Sequence, residues 1–173
     1  RIALAVSGGK DSVSLLHIMN RIEARSEMVA ITIDEGVKGY RSEAVEIARE
    51  SCTELGVEHR VYSFKSLYGY TLDEIADATR QKGKAFICAY CGILRRKALN
   101  TAAREVGATK LVTAHNLDDE VQSMVMNILR GDLTSMARGE YDLGEEGLVP
   151  RVKPLCDVPE KEVALYTFLR KIR

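Results

Sequence analysis

Three groups of residues in this chain combine side-chain types and spacings that can do chemistry. The first is Ser7-Gly8-Gly9-Lys10-Asp11-Ser12. Its two adjacent glycines let the chain turn sharply with positive φ and bring backbone N–H groups close to an anion, while Lys10 adds a mobile cation and Ser7 and Ser12 add hydroxyls. The second is Cys88-x-x-Cys91, two thiols spaced to bite one metal ion or cluster, to form a reversible disulfide or persulfide relay, or simply to be buried together. The third is Asp118-Asp119, followed by Glu120. A carboxylate pair there can hold Mg²⁺ against phosphate oxygens and disperse the charge that develops as pyrophosphate leaves, or it can do no more than stabilise a helix N-terminus.

Each group needs an element to carry it. The apolar run Ile2–Val6 reads as a buried parallel strand, and Leu15, Ile18, Met19 and Ile22 fall at i, i+3, i+4, i+7 of the helix that follows. Strand, glycine turn and helix then form an anion cradle at the helix N-terminus, with Ala5 and Val6 bringing the strand to its edge. The spacing is not that of a Walker loop, which needs four residues between its first Gly and the Gly-Lys pair, so an ordinary kinase or GTPase is excluded. Leu111–Ala114 reads as a fourth strand that delivers His115-Asn116-Leu117-Asp118-Asp119-Glu120 at its carboxyl end, ahead of a helix with Val121, Met124, Val125, Ile128 and Leu129 in period. In a doubly wound sheet these two strand ends face each other across the switch point.

The remaining elements complete an α/β alternation. Met28–Asp34 is a β-branched strand ended by Glu35-Gly36, which leaves Asp34 as a ribose or Mg²⁺ ligand or as an ordinary turn residue. Ser42–Leu55 is an amphipathic helix with Cys52 on its core stripe, and a third strand is expected over Val57–Phe64, with His59 on a strand face. Thr71-Leu-Asp-Glu74 has the form of a capping box, and its helix should run to about Gln81 before Lys82-Gly-Lys breaks it. The cysteine pair precedes and flows into a helix that turns Leu94, Ala98, Leu99, Ala102, Ala103 and Val106 inward and Arg96, Asn100 and Arg104 outward. Arg95, Arg96 and Lys97, directly after the thiols, are either phosphate-backbone contacts or a solvated face. Val149–Leu155 is an edge strand on account of its two prolines, and Asp157 or Pro159-Glu160 opens a last helix whose apolar pattern still runs at Arg173. The fold class is therefore α/β: an open, doubly wound parallel sheet of about five strands with helices on both faces.

Composition sets the outer limits. At 173 residues and 46% hydrophobic content the chain makes one ordinary domain. Lys plus Arg and Asp plus Glu both number 25, so any nucleic-acid contact must be local rather than a matter of bulk charge. No apolar run approaches the roughly 20 residues of a membrane helix, and no membrane partner is expected. Four cysteines, two of them as Cys-x-x-Cys, fit a reducing, cytoplasmic compartment. The missing initiator Met, the opening directly in a strand and the unfinished last helix lead us to expect the middle of a longer protein.

On its first motif the chain resembles the PP-loop ATP pyrophosphatases, the adenine nucleotide alpha-hydrolase-like fold, which bind the pyrophosphate end of ATP and adenylate a carbonyl oxygen. With Cys-Ala-Tyr-Cys-Gly-Ile-Leu-Arg-Arg-Lys-Ala-Leu-Asn and Ala-His-Asn-Leu-Asp-Asp-Glu in the same order, and Arg151-Val-Lys-Pro-Leu and Glu160-Lys-Glu extending the likeness, it is similar to the tRNA 2-thiouridine synthetases, which act at the wobble uridine or in the T-loop. The likeness implies one PP-loop catalytic domain over 1–173 and a two-step tRNA thiolation. ATP·Mg²⁺ adenylates O2 of a uridine, and sulfur then displaces AMP at C2. The sulfur is held on a [4Fe–4S] cluster and comes from a ubiquitin-like carrier or from sulfide. It further implies that Ala5 to Ser12, with Asp34 and Asp118, bind the nucleotide, that Lys10 and Asp119 act in catalysis, and that Cys88 and Cys91 hold the cluster and act in the transfer. Arg95 to Lys97 would meet tRNA. A homodimer is the expected assembly.

Two departures from that pattern stand out. The zinc-binding modules found at both ends of such enzymes are absent from this chain. Their third cluster cysteine lies beyond the position of Arg173, so Cys156 is the remaining candidate ligand here, against a core or loop role. The rival readings are a tRNA 2-thiocytidine synthetase, which shares the phosphate loop and a similar thiol pair, and a non-catalytic iron–sulfur or zinc protein that binds nucleotide without turning it over.

Overall fold

The computed structural model describes residues 1–23, 26–79, 84–132 and 147–172. Five strands form one sheet: β1 (Ile2–Ala5), β2 (Met28–Asp34), β3 (Glu58–Ser63), β4 (Lys110–Val112) and β5 (Arg151–Val152). Their order is β3-β2-β1-β4-β5, and every adjacent pair is parallel, with Ile2 opposite both Met28 and Lys110. Parallel neighbours require crossover connections, which the helices supply. The chain builds outward from β1 through β2 to β3, then returns to the other side of β1 for β4 and β5. The topological switch point thus falls between β1 and β4, where an α/β sheet opens a ligand crevice at its carboxyl ends.

Buried residues on β1 and β2 serve two cores, one on each face of the sheet. On one face, α1 (Lys10–Ile22) and α2 (Arg41–Leu55) pack Val13, Leu15, Leu16, Met19, Ala48 and Cys52 against Leu4, Val6 and Ala30. Val163 of α7 (Glu160–Arg170) joins this cluster. On the other, Ala98, Ala102 and Ala103 of α5 (Lys84–Glu105), with Val106 just after it, lie against Ala3, Val29, Ile31 and Ile33. Alanines on that helix face let its backbone approach the sheet closely, and all three are fully buried.

Several boundaries differ from expectation. Phe64, read as the end of β3, instead begins the short helix α3 (Phe64–Tyr68), because Ser63 caps it in a reciprocal bond set with Ser66 and Phe64 is buried as its anchor. The Thr71–Glu74 capping box is present and opens α4 (Leu72–Ala78), while the proposed extension to Gln81 and the break at 82–84 lie largely outside the described residues. β4 ends at Val112 rather than Ala114, and β5 is only two residues long at the sheet edge, bounded by Pro150 and Pro154, which cannot donate to a ladder. The last helix stops at Arg170, where Lys171 takes a left-handed φ of 53° and closes it.

Among the described residues, two helical stripes keep their period without joining a core. Val121, Met124, Val125, Ile128 and Leu129 of α6 (Leu117–Arg130) are exposed, as are Leu165, Phe168 and Leu169 of α7. The most consequential difference concerns the thiols. Cys88 and Cys91 sit inside α5 rather than on a loop ahead of it, because the helix begins by Lys84 and runs straight through Gly92.

Candidate active site

The loop between β1 and α1 is shaped by its neighbours. Val6 N–H still donates to the Ile31 carbonyl at 2.9 Å, after which Gly8 takes a φ of +84°. A Cβ on Gly8 would lie 1.9 Å from the Ala44 carbonyl oxygen, so only glycine fits where α2 presses on the loop. Ser12 Oγ donates to the Gly9 carbonyl at 2.9 Å, which leaves it to accept from Ser7 N–H at 3.1 Å. The Ser7 hydroxyl completes the turn, lying 3.1 Å from Ser12 Oγ and 3.4 Å from Gly9 N. Gly9 precedes α1 as its capping position and offers no side-chain cap, so the first-turn N–H groups are available to an anion.

This loop forms one wall of a cleft of about 440 Å³ at the switch point, a size that suits a nucleotide-scale ligand. Ile31, Ile33 and Glu35 at the end of β2 form the floor, and Tyr40 and Arg41 enter from the start of α2. Arg95 and Leu99 of α5 close the opposite side, and Thr113, Ala114, His115 and Asp119 complete it after β4. His115 Nδ1 lies 3.0 Å from Thr113 Oγ1. Partial desolvation, followed by the nearby Lys153 and Arg151, holds the His115 pKa below the ordinary imidazole range.

A chain of charged groups runs along the cleft floor. Glu35, 3% exposed, shares its carboxylate between two cations, with Oε2 2.7 Å from Arg41 Nε and Oε1 2.6 Å from Arg95 Nε. Arg41 also donates from Nη1 to the Ser7 carbonyl at 2.8 Å and from Nε to the Ile33 carbonyl at 2.9 Å, with Nη2 reaching Ile33 as well. Arg95 Nη2 donates to Cys91 Sγ at 3.5 Å. Burial pushes the Cys91 thiol pKa up, and the Arg95 guanidinium opposes that shift. Neither Glu35 nor Arg41 stands out in the sequence. The available signal was a second acidic residue directly after the apolar strand Met28–Ile33, with an Arg at the start of the next helix.

The predicted residues divide between those the cleft gathers and those it leaves aside. Ala5, Val6, Ser7, Gly9, Asp11, Ser12, Arg95 and Asp119 line it. Asp119 has two tasks, because its Oδ2 also accepts from Asn116 N–H at 3.0 Å while Asn116 Oδ1 accepts from Asp119 N–H at 3.0 Å, the reciprocal cap of α6. Lys10 sits at the first position of α1, with its ammonium 3.0 Å from Asp11 and 2.6 Å from Glu160.

Other candidate residues lie outside that lining or are engaged by neighbours. Asp118 is not among the residues that line the cleft; its Oδ2 accepts from Glu160 N–H at 2.7 Å and offsets the positive end of α7. Asp34 Oδ1 accepts from Gly36 N–H at 2.9 Å in the turn after β2, and Asp34 is not among the residues that line the cleft. Cys88 is exposed and Cys91 is 6% exposed on the same helix. Cys156, in the turn between β5 and α7, does not join them, since among the described residues no three His, Cys, Asp or Glu side chains are gathered to hold a metal. Arg96 and Lys97 are exposed, whereas the Arg95 side chain is taken up by Glu35 and Cys91 and is not a free phosphate contact. Asn100, placed on the solvent row, instead accepts from Val149 N–H at 2.8 Å and ties α5 to the approach of β5.

The PP-loop domain family matches the chain over residues 1–173. The cytoplasmic tRNA 2-thiolation protein 1 of Chlamydomonas reinhardtii is 40% identical over 177 residues, covering 99% of this chain and 49% of the relative. The tRNA 2-thiolation protein NcsA of Haloferax volcanii is 42% identical over 182 residues, covering 98% of this chain and 56% of the relative. The chain thus spans about half the length of the curated relatives it matches. Among solved structures, the U34-tRNA thiolase NcsA from Methanococcus maripaludis with its [4Fe–4S] cluster superposes with a TM-score of 0.88 at 34% identity, covering 99% of this chain and 56% of that one. The NH3-dependent NAD synthetase of Campylobacter jejuni superposes with a TM-score of 0.65 at 14% identity over 99% of this chain and 64% of that one, a likeness of fold alone.

Proposed function

The chain belongs to the PP-loop domain family, and from that premise we propose that it is the ATP-dependent core of a tRNA thiolase that replaces O2 of a uridine with sulfur. The observation that carries this reading is that phosphate loop and thiol helix meet in one cleft: Arg95 lines it together with Ser7 and Gly9 and touches Cys91 at 3.5 Å. The naming of the relatives as tRNA 2-thiolation proteins supports the same substrate class.

In the first step the open N–H groups at the start of α1 and the loop hydroxyls bind the phosphates of ATP. Uridine O2 attacks the α-phosphorus, the bond to the bridging oxygen breaks, and pyrophosphate leaves with that electron pair. Lys10 supplies positive charge to the leaving group. Asp119, at the opposite wall, would be the residue to hold Mg²⁺, which would supply positive charge to offset that developing as pyrophosphate leaves. In the second step a sulfur nucleophile adds at C2 and AMP departs carrying the former uridine oxygen; the sulfur comes as sulfide, or from a ubiquitin-like carrier thiocarboxylate whose acyl–sulfur bond is cleaved by water to leave the carrier carboxylate. The low polarity of Ile31, Ile33 and Leu99 around the reacting centre keeps water from competing.

The thiol pair fits two ligands of a cluster. Cys88 and Cys91 lie three residues apart on one helix with no disulfide, and a Cβ built on Gly92 beside them would meet nothing within 4 Å. A third protein ligand is not gathered there among the described residues. A [4Fe–4S] cluster on these thiols would supply an open iron at which sulfur is carried to the activated base. Arg96 and Lys97, exposed on the same helix, contact the tRNA backbone.

The test is nucleotide chemistry with full-length protein. Incubation with ATP, tRNA and a sulfide source should release AMP and pyrophosphate only when tRNA is present, with 2-thiouridine appearing in the digested tRNA. ADP as product, AMP without tRNA, or sulfur appearing in cytidine would each contradict the proposal.

A further inference from the structure

The buried carboxylate of Glu35 does something the two-step reaction does not require of it. It stands between an arginine that grips the phosphate loop and an arginine that grips a thiol. Arg41 holds the Ser7 carbonyl at 2.8 Å, Glu35 joins Arg41 at 2.7 Å and Arg95 at 2.6 Å, and Arg95 reaches Cys91 Sγ at 3.5 Å. Every link is a direct contact. The set of contacts joins the β1–α1 loop and the start of α2, which already meet at Gly8 and Ala44 on one face of the sheet, to the middle of α5 on the other face.

Burial makes this arrangement demanding. Glu35 is 3% and Arg41 7% exposed, and a carboxylate taken out of water needs its partners held in place, since the loss of one leaves an uncompensated charge. A pair of charges would neutralise locally with one arginine. A second cation on the same carboxylate, reached from a helix on the opposite face of the sheet, instead fixes how α5 sits relative to the phosphate loop. The backbone carbonyl of Glu35 is occupied too, accepting from Leu72 N–H at 2.7 Å, so its main chain is anchored while its side chain spans the gap.

We infer that Glu35 is a positioning residue that couples filling of the phosphate loop to the placement of the Cys91-bearing segment of α5, with Arg41 as the loop-side link and Arg95 as the thiol-side link. When a polyphosphate draws the Ser7–Ser12 turn onto itself, the Ser7 carbonyl shifts Arg41, and the shared carboxylate passes that shift to Arg95. Nucleotide binding therefore orders the thiol segment before the second substrate arrives. The inference rests on nucleotide binding by the loop but not on the identity of the base that is modified.

Amide hydrogen exchange on full-length protein tests it, with ATP·Mg²⁺ as the ligand and no turnover required. In the wild type, ATP should slow exchange both in the loop peptide spanning residues 7–16 and in the helix peptide spanning residues 88–99, the latter by about fivefold or more, the lower end of ordinary coupling between sites. In Glu35→Gln the loop should still be protected while the helix response falls away. Arg95→Gln, which removes the more exposed end of the chain and leaves Glu35 with Arg41, should give the same split even if Glu35→Gln folds poorly. The double variant should add nothing further. Helix protection that persists in either single variant would overturn the inference, because it would then come from direct contact with ATP, as would a wild-type helix that ignores a protected loop. A wild-type loop that ATP fails to protect would contradict the nucleotide reading itself, and the coupling with it.

Discussion

Gly8 lies against the carbonyl of Ala44 with no space between them, a Cβ at that position falling 1.9 Å from the oxygen. The contact locks the phosphate loop to α2, and it makes the loop intolerant of any side chain. Gly8→Ala adds a clash with backbone to the cost of a positive φ, so it should destabilise the fold by roughly 2–4 kcal/mol. Chemical denaturation should show the loss, and ATP affinity should fall with it. Gly9→Ala, whose Cβ would come only to 3.5 Å from Ser7 Oγ, should fold normally and report on the approach of phosphate instead.

The two adjacent aspartates should separate cleanly. Asp119 lines the cleft, and Asp119→Asn keeps an oxygen for the Asn116 cap, so stability should hardly change while turnover falls by about 100-fold or more, the usual loss when a transition-state electrostatic partner is removed. Asp118→Asn instead weakens the contact with Glu160 N–H at the start of α7. Turnover should survive, with a stability loss of about 0.5–1 kcal/mol measured by urea titration.

Among the cysteines, position predicts chemistry. Cys88→Ser and Cys91→Ser should each lose bound iron and thiolation while the Kd for ATP stays within about threefold of wild type, less than 1 kcal/mol. Cys52 is 1% exposed in the core, and burial pushes its thiol up to about 11. It should resist iodoacetamide until the protein unfolds, and Cys52→Ala should keep iron and activity at a stability cost of about 1 kcal/mol. Iron analysis and peptide mapping check both statements.

A pH effect on stability follows from His59. Thr32 Oγ1 spends its single proton on the Val6 carbonyl at 2.7 Å, so it accepts from His59 Nε2 at 2.8 Å, which makes Nε2 the protonated nitrogen. Burial, and then Arg49, lower the His59 pKa from its ordinary 6.5. A base with a depressed folded pKa binds fewer protons folded than unfolded, so its contribution is complete above pH 6.5 and is lost as pH falls through the lower folded value. Urea midpoints should therefore drop more steeply below pH 6.5 in wild type than in His59→Gln, and the two slopes should coincide above it.

The parts of this molecule that are legible in its sequence are local ones. Ser7–Ser12 declares itself because the strand, the glycines and the helix that make an anion cradle are contiguous, and the Thr71–Glu74 cap is legible for the same reason. The stripes on α6 and α7 show the limit of periodicity: Met124 and Phe168 repeat as core residues do, yet period says only that residues share a face, not that anything covers it. The inward pattern of α5 is legible only from Leu94 onward, but the backbone is already helical from Lys84 and continues through Gly92, which puts both thiols on α5. Glu35 was hidden for a different reason. Beside Gly36 it has the look of a turn residue, and its importance comes from arginines 6 and 60 positions away that only the folded sheet brings to it.

If this cleft joins uridine O2 to the α-phosphate of ATP, that oxygen leaves the base with AMP and can be followed. Full-length protein is given ATP, sulfide and tRNA carrying ¹⁸O at O2 of the target uridine, and the AMP released is analysed by mass spectrometry. The ¹⁸O should appear in the phosphate of AMP in step with 2-thiouridine formation. AMP free of the label, with the heavy oxygen recovered in water or retained in the tRNA, would contradict it.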